Sequence, residues 1–96
     1  YIQLMVRFAW NERKRARNLA RHGFDFVDAS DVFDGLTYTF EDDRFDYAEQ
    51  RFVTLGTLAG VVVSMVHTET AHVIRIISLR KVTLREQAIY YAQIRN

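Results

Sequence analysis

Residues 72–91, HVIRIISLRKVTLREQAIYY, decide the fold because a strand here runs directly into a helix. The first half is apolar and β-branched, which is typical of a buried strand. Thr83 and Glu86 form the Thr-x-x-Glu capping-box pattern that starts a helix by satisfying orphan backbone donors. Arg75 interrupts the apolar run, and polar residues crowd its end: Ser78, Arg80 and Lys81. These cations predict an anion-binding corner; a catalytic site, a passive docking surface and a solvated strand end all fit it.

The composition predicts one folded domain that spans residues 1–96. Of these 96 residues, 49% are hydrophobic and 14% are aromatic, which fits a small globular protein with its own core. No apolar run approaches the roughly 20 residues needed to cross a bilayer, so we expect no membrane contact. The chain lacks cysteine, which excludes disulfides and is compatible with a reducing cytoplasm. The amino end has no signal-peptide pattern, and we therefore expect a cytoplasmic protein.

The charges are strongly segregated, although the net charge is only +1. Residues 1–24 carry six cations against one acid, and residues 25–50 carry nine acids against one cation. Residues 51–96 are basic again, with six cations against two acids. This pattern predicts a cationic surface for phosphate groups and an acidic surface for a basic partner. Internal charge complementarity within the fold explains it equally well.

The periodicity of the remaining segments predicts an α+β protein with the element order β-α-α-β-β-β-β-α. The first strand covers residues 1–8. Later strands are expected at residues 36–41, 51–57, 60–67 and 72–79, with Leu36, Tyr38 and Phe40 pointing inward from the first of these. Because the connections between the later strands are short, these strands should be antiparallel neighbours.

Three helices complete the predicted fold. The first covers residues 11–22, with Asn11 as its N-cap and Gly23 as the residue that ends it. The second covers residues 25–33, and the third covers residues 83–95. Their predicted buried faces are Phe26, Ala29, Ser30 and Phe33 for the second helix, and Leu84, Ala88, Tyr91 and Ala92 for the third.

The first helix is unusually cationic. Lys14, Asn18 and His22 are spaced four residues apart and lie along one face. The neighbouring face carries Arg13, Arg17 and Arg21. Like charges at this spacing repel, so acids elsewhere in the fold, a partner or phosphate must favour the helix. A solvated helix face is the simpler alternative.

The motifs predict chemistry without a metal ion or cofactor, or no chemistry at all. The histidines His22, His67 and His72 are too scattered for a metal site, and we expect the last two on surface turns. Cleavage of RNA by its own 2′-hydroxyl needs a base, cations at the phosphate and an acid for the leaving oxygen. Arginine suits the phosphate, since its planar fork matches phosphate oxygens, and histidine suits proton transfer near neutral pH.

Three segments in order resemble the BrnT-type toxins. Residues 8–23, FAWNERKRARNLARHG, are similar to the family's opening pattern F-x-W-D-x-x-K-x-x-x-N-x-x-x-H-G. Residues 41–56, EDDRFDYAEQRFVTLG, resemble its acidic loop and following strand. Residues 68–90 resemble its closing T-E, R-I-I-S-x-R and E-x-x-x-Y signature. Two departures are Asn11, where the family usually has an acid, and Leu79, where it usually has alanine.

The resemblance implies a fold like that of the RelE-type ribonucleases and metal-independent RNA cleavage that blocks translation. It also implies neutralisation by a BrnA-type antitoxin in a hetero-oligomer that contacts operator DNA only through the antitoxin. The polar residues that match the family by position are Lys14, Asn18, His22, Arg44, Glu49, Arg51, Thr68, Glu69, Arg75, Ser78, Arg80, Glu86 and Tyr90.

Our hypothesis is a ribonuclease site with Arg75 and Arg80 on the scissile phosphate and Lys14 and His22 reaching in from the first helix. His22 is the preferred proton-transfer residue, although Glu49 or Glu86 can serve as the base. The residues expected to bind RNA around this site are Arg13, Arg17, Arg51, Ser78, Lys81 and Tyr90. The alternative is a non-catalytic module whose basic helix binds nucleic acid and whose acidic loop docks a regulator.

Overall fold

The computed structural model describes residues 6–44 and 48–95. The strands in this part of the chain are β1 (Arg7–Trp10), β2 (Tyr38–Glu41), β3 (Phe52–Leu58), β4 (Val61–Glu69) and β5 (Val73–Lys81). The helices are α1 (Glu12–His22), α2 (Ala29–Asp34) and α3 (Leu84–Ile94), and a 3-10 turn (Phe26–Asp28) leads into α2. The strands form one mixed sheet on which the helices pack, so the α+β prediction is confirmed.

The sheet has the strand order β1-β5-β4-β3-β2. β1 runs parallel to β5, and the other neighbouring pairs are antiparallel. β1 pairs with β5 only from Val73 to Ile76. Within the described residues, no strand covers the rest of β5 on that side, and α1 packs there instead. The carboxyl-terminal half of β5 is therefore a strand edge beside a basic helix.

Two hydrophobic clusters lie on the sheet. One joins β3, β4 and β5 to α2 and the turn before it, and its buried members are Phe26, Ala29, Val32, Leu58, Val63, Met65, Ile76 and Leu79. The other joins the sheet to α3, and its buried members are Val53, Leu55, Val62, Val82 and Tyr90. Helix α1 contributes no buried apolar side chain, since Asn18 is its one buried residue.

The local helix signals predicted from sequence are present. Asn11 caps α1 by accepting a hydrogen bond from the Lys14 backbone N–H (3.0 Å), and Gly23 ends the helix with φ of 78°. Thr83 and Glu86 form the complete capping box of α3. These features depend on residues within one helical turn, which is why the sequence alone predicts them.

The predicted buried faces of α2 and α3 are partly wrong. In α2 the buried residues are Ala29 and Val32, whereas Ser30 is exposed. In α3 none of the four predicted residues is buried: Tyr90 is the buried residue, whereas Leu84, Ala88, Tyr91 and Ala92 are exposed. The apolar residues of α3 are distributed around the helix, so their periodicity does not single out one buried face. Tyr90 is buried by its packing in the second hydrophobic cluster, and its hydroxyl is satisfied by a hydrogen bond that it donates to the Leu36 carbonyl oxygen (2.8 Å).

The strand predictions need smaller corrections. The first strand is predicted at residues 1–8, of which residues 1–5 lie outside the described residues. The observed β1 extends beyond residue 8, to Trp10. Leu36 precedes β2 and is 68% exposed, and Phe40 is also exposed, so neither points inward as expected. β2 is an edge strand, and the alternation of its side chains does not reveal which positions the core covers.

None of the helices within residues 6–44 and 48–95 combines the length and apolar character that a membrane crossing requires.

Candidate active site

An irregularity in β5 aligns three polar side chains that the sequence spaces unevenly. Thr68 pairs with Arg75, Val66 pairs with Ser78, and the register shifts between these two pairs. Ser64 then pairs with Arg80. Since residues 64, 66 and 68 alternate along β4, their partners lie on the same face of the sheet. The extra residue, Ile77, forms a β-bulge, a feature that often re-aims side chains near functional sites.

Beside this bulge lies the surface that we call the cationic cleft. It is a depression of about 250 Å³ between α1 and the free edge of β5. The residues that line it are Lys14, Arg17, Asn18, Arg21, His22, Ile77 and Ser78. Its charged side chains all come from α1, where residues three and four apart share one face. The cleft therefore combines cations, one histidine and one hydroxyl.

The amino end of α1 is held by Arg15. Its guanidinium binds the Glu12 carboxylate at 3.0 Å and the Asp25 carboxylate at 3.0 Å. The Asp25 pKa is lowered, first by the backbone N–H of Val27 and also by Arg15. Arg15 thus connects α1 to Asp25, the residue before the 3-10 turn. The carboxylates of Glu12 and Asp25 help to stabilise this cationic helix. Arg15 is not among the residues that line the cationic cleft.

The middle of α1 is held by Asn18, which is only 7% exposed. Its Oδ1 accepts a hydrogen bond from the Leu79 N–H (3.1 Å), and its Nδ2 donates to the Leu79 carbonyl oxygen (2.8 Å). Nδ2 also donates to the Phe24 carbonyl oxygen (3.0 Å). The amide satisfies backbone groups of β5 that would otherwise need a neighbouring strand.

Arg80 and Glu86 form a bidentate ion pair on the face that also carries Arg75. Both nitrogen–oxygen distances are 2.9 Å. Glu86 also accepts the Thr83 N–H at 2.8 Å. The hydrogen bonds from Arg80 are the largest cause that lowers the Glu86 pKa to about 2. Glu86 is therefore ionised and a weak proton acceptor at neutral pH, which argues against it as the general base.

A second depression of about 260 Å³ adjoins this ion pair. Its polar lining includes Arg44, which pairs with the buried Asp42 carboxylate at 2.8 Å. The hydrogen bonds to Glu86 raise the Arg80 pKa, and the nearby positive charge of Arg44 opposes part of that rise. Two arginine–carboxylate pairs thus face each other, and each cation already has an acidic partner.

The structure groups some of the residues predicted from sequence and separates others. Lys14, Arg17, His22 and Ser78 meet in the cationic cleft. Arg75 is exposed and does not line the cleft; it lies where β5 pairs with β1, on the face that it shares with Ser78 and Arg80. Three further candidates, Arg13, Glu49 and Lys81, are exposed and lie outside the cleft lining, and Arg51 is half-buried.

Tyr90 requires a correction, because we expected it to bind RNA. It is buried in the α3 cluster, with its hydroxyl engaged by Leu36, so it has a packing role and no free surface. The sequence also failed to assign Arg21 and Ile77 to the site. Arg21 could have been assigned from sequence, because it lies four residues after Arg17 and so on the same helix face. Ile77 could not, because no local sequence pattern predicts the bulge that brings it to the cleft.

His67 also departs from the prediction of a surface histidine. It is fully buried inside β4, and its Nε2 lies 2.7 Å from the Thr54 hydroxyl. Burial lowers the His67 pKa to about 4, so the ring is neutral at physiological pH. It lies on the α2 side of the sheet and does not line the cationic cleft.

The described residues contain no group of three or more histidine, cysteine, aspartate or glutamate side chains that could hold a metal ion. The side chains at this strand edge present guanidinium, ammonium, imidazole and hydroxyl groups. Such a set can bind phosphate oxygens and move a proton.

Comparison with known proteins supports this interpretation. Residues 10–86 match a family described as the ribonuclease toxin BrnT of type II toxin–antitoxin systems. The matched region contains α1, the bulge in β5 and the Arg80–Glu86 pair. No curated protein matches the chain. Because the match covers most of the sequence, this chain belongs to the BrnT family of ribonuclease toxins of type II toxin–antitoxin systems.

Proposed function

We propose that this chain cleaves RNA without a metal ion, at the place where the cationic cleft meets the edge of β5. The observation that carries the proposal is the grouping of Lys14, Arg17, Arg21 and His22 around Ser78 in one depression. An RNA phosphate that enters the cleft meets cations on the helix side and a hydroxyl on the strand side. Cationic groups that face the phosphate stabilise the charge that develops in the transition state.

The proposed reaction uses the 2′-hydroxyl of the RNA as the nucleophile. A bond forms between the 2′-oxygen and phosphorus, and the bond from phosphorus to the 5′-oxygen breaks. The neutral His22 imidazole takes the 2′-hydroxyl proton, and the leaving 5′-oxygen takes a proton from water in this open cleft. Lys14, one helical turn before Asn18, and Arg17 neutralise the phosphate oxygens.

Arg75 and Arg80 extend the binding surface across the strand edge. The bulge directs both side chains to the face that Ser78 also occupies. We propose that the RNA crosses β5 at Ser78, with consecutive phosphates on the two sides. Arg80 can exchange part of its contact with Glu86 for a phosphate, because both side chains of this pair are partly exposed.

The same proposal covers the biological setting. We propose that RNA cleavage blocks translation in the cytoplasm and that the fold is of the RelE type, which the antiparallel-rich sheet with helices packed on it supports. Family membership implies an antitoxin partner. We propose that a BrnA-type antitoxin forms a hetero-oligomer with this chain and supplies the contact with operator DNA.

The direct test is incubation of the purified protein with single-stranded RNA in excess EDTA. Wild-type protein should cleave, and His22→Ala should lower the cleavage rate by about 100-fold or more, the usual contribution of a proton-transfer group. Arg75→Ala and Arg80→Ala should abolish growth arrest when expressed in cells. Glu86→Gln is the matched test of the competing base, and it should retain most of the activity.

Three results would overturn parts of this proposal. Full activity of His22→Ala would remove His22 from the proton transfer. Loss of activity in Glu86→Gln, with the fold intact, would make Glu86 the base instead. Loss of wild-type cleavage on addition of EDTA would contradict metal independence.

One observation favours a second candidate function, a non-catalytic nucleic-acid-binding module. Among the residues that line the cleft, His22 is the one side chain whose type suits proton transfer near neutral pH. A binder would retain RNA in the same assay without producing shorter fragments. Retention without cleavage therefore selects this second function.

A further inference from the structure

We infer that Asn18 is a positioning residue whose amide fastens α1 to β5 and so sets where the helix cations stand relative to Ser78 and Arg80. This inference rests on the proposed function, because those cations are the ones assigned to RNA. Asn18 itself does not contact the substrate: its amide atoms are committed to backbone partners and the residue is 7% exposed.

The Asn18 amide pairs with β5 where a neighbouring strand would otherwise pair. β1 stops pairing at Ile76, and the Leu79 N–H and carbonyl groups point to the free edge three residues later. The Asn18 side chain presents one acceptor and one donor to these two groups, as a neighbouring peptide unit would. The reverse orientation of the amide would place Oδ1 against two carbonyl oxygens, so the contacts fix which way it points.

Little else holds the middle and end of α1 in place. Asn18 is the one buried residue of the helix, and the apolar Leu19 is 40% exposed. The salt bridges of Arg15 secure the first turn of the helix. Without the amide, the helix would keep its Arg15 salt bridges and its chain connection through Gly23, but it would also lose the hydrogen bond to the Phe24 carbonyl oxygen.

The position of the contact explains why it matters for catalysis. Leu79 lies between Ser78 and Arg80, directly after the bulge. Lys14 and His22 lie one turn before and one turn after Asn18 on the same helix face. The amide is therefore the fixed point between the helix groups and the strand groups, and a shift of about 1 Å in such a geometry can lower a rate about 100-fold.

The test compares Asn18→Leu with wild-type protein. Leucine is close to asparagine in size but removes all three hydrogen bonds. We expect amide hydrogen exchange at Leu79, followed by NMR, to accelerate at least about tenfold, while amides of β3 keep their rates. We expect kcat on RNA to fall about 10- to 100-fold, while KM stays within about threefold because every cation remains.

A stability-matched control separates positioning from general damage. Gly56→Ala should destabilise the protein at a contact far from the cleft, between β3 and α2. At an equal loss of stability, this control should leave kcat unchanged. If both variants lower kcat in proportion to their loss of stability, Asn18 is only structural and the inference fails.

The remaining outcomes distinguish this inference from the proposed function. If wild-type protein cleaves RNA and Asn18→Leu cleaves it equally fast, the positioning role is wrong and the proposed function stands. If wild-type protein does not cleave RNA, the proposed function fails and the catalytic role of Asn18 fails with it. Unchanged exchange at Leu79 in the variant would show that the amide contact itself does not hold in solution.

Discussion

At the scale of a single side chain, His67 is a histidine that its buried surroundings keep neutral. Its ring packs edge-on against Phe33 at 5.6 Å and stacks on Phe52 at 6.0 Å. Thr54 links its Nε2 to Thr39, since the two hydroxyl oxygens are 2.7 Å apart. The Glu69 carboxylate lies 3.6 Å from Nδ1, too far for a hydrogen bond that would hold a proton there. Protonation of this ring is therefore costly in the folded state.

This cost predicts acid sensitivity. The folded-state pKa is about 4, against an ordinary value of 6.5, so the unfolded chain binds the extra proton first as pH falls. The free energy of unfolding should consequently decrease between pH 7 and pH 5, by about 2 kcal/mol from this group at pH 5. Urea denaturation at several pH values would measure the slope.

The matched variants for this prediction are His67→Gln and His72→Gln. His72 is exposed, so its replacement should leave the slope unchanged. His67→Gln should flatten the pH dependence between pH 7 and pH 5, whatever its effect on absolute stability. Equal slopes in both variants would assign the acid sensitivity to other groups.

Residue-level prediction from sequence succeeds where the partners are close in the chain. Asn11, Gly23 and the Thr83–Glu86 pair were identified because each acts within one helical turn. The burial of His67 was not predictable in this way. It depends on Phe33 and Phe52, which only the folded sheet brings beside it.

At the scale of elements, α2 and β3 approach each other closely at Gly56. A β-carbon placed there would lie 2.8 Å from Val32 Cγ1 and 3.3 Å from Thr37 Cγ2. Val32 is fully buried and has little room to move. Gly56→Ala should therefore lower the free energy of unfolding by about 1–3 kcal/mol through overpacking, measured by urea denaturation.

Gly35→Ala is the control for this contact. The nearest atom to its added β-carbon is the Thr57 hydroxyl oxygen at 3.7 Å, which is ordinary contact. Its φ of −99° also suits alanine. This variant should be neutral or more stable by up to about 1 kcal/mol, since alanine restricts the unfolded chain. Equal destabilisation by both variants would contradict the packing argument.

The bulge in β5 marks the limit of prediction at this scale. A regular strand would place Arg75, Ile77 and Leu79 on one face and Ser78 with Arg80 on the other. The register shift instead unites Arg75, Ser78 and Arg80. Strand periodicity therefore predicts β5 and its cations. It does not predict that these side chains share a face, because one inserted residue inverts the alternation that follows it.

At the scale of the whole molecule, the basic and acidic segments of the sequence separate only in part, since Asp42 and Asp43 line the same depression as Arg80. Cations of α1 gather beside the free edge of β5, whereas Arg75 and Arg80 lie on one face of that strand. Three acids at and just before α2 line a different depression, of about 580 Å³; they are Asp25, Asp28 and Asp31. Arg15 joins the two regions through its ion pair with Asp25. Some charges thus pair internally, whereas three cations of α1, Lys14, Arg17 and Arg21, gather in the cationic cleft.

The gathered cations predict how RNA binding depends on salt. For single-stranded nucleic acid, the logarithm of the binding constant falls with the logarithm of salt concentration by about 0.7 for each neutralised phosphate. Arg17→Gln removes one cleft cation and should lessen the slope by about 0.7. Arg95→Gln, which removes a cation just after α3 and outside the cleft lining, should leave it unchanged. Fluorescence anisotropy with a 2′-O-methyl RNA, which lacks the attacking hydroxyl, measures binding without cleavage. Equal changes in slope for the two variants would mean that RNA responds to net charge alone and does not select the cleft.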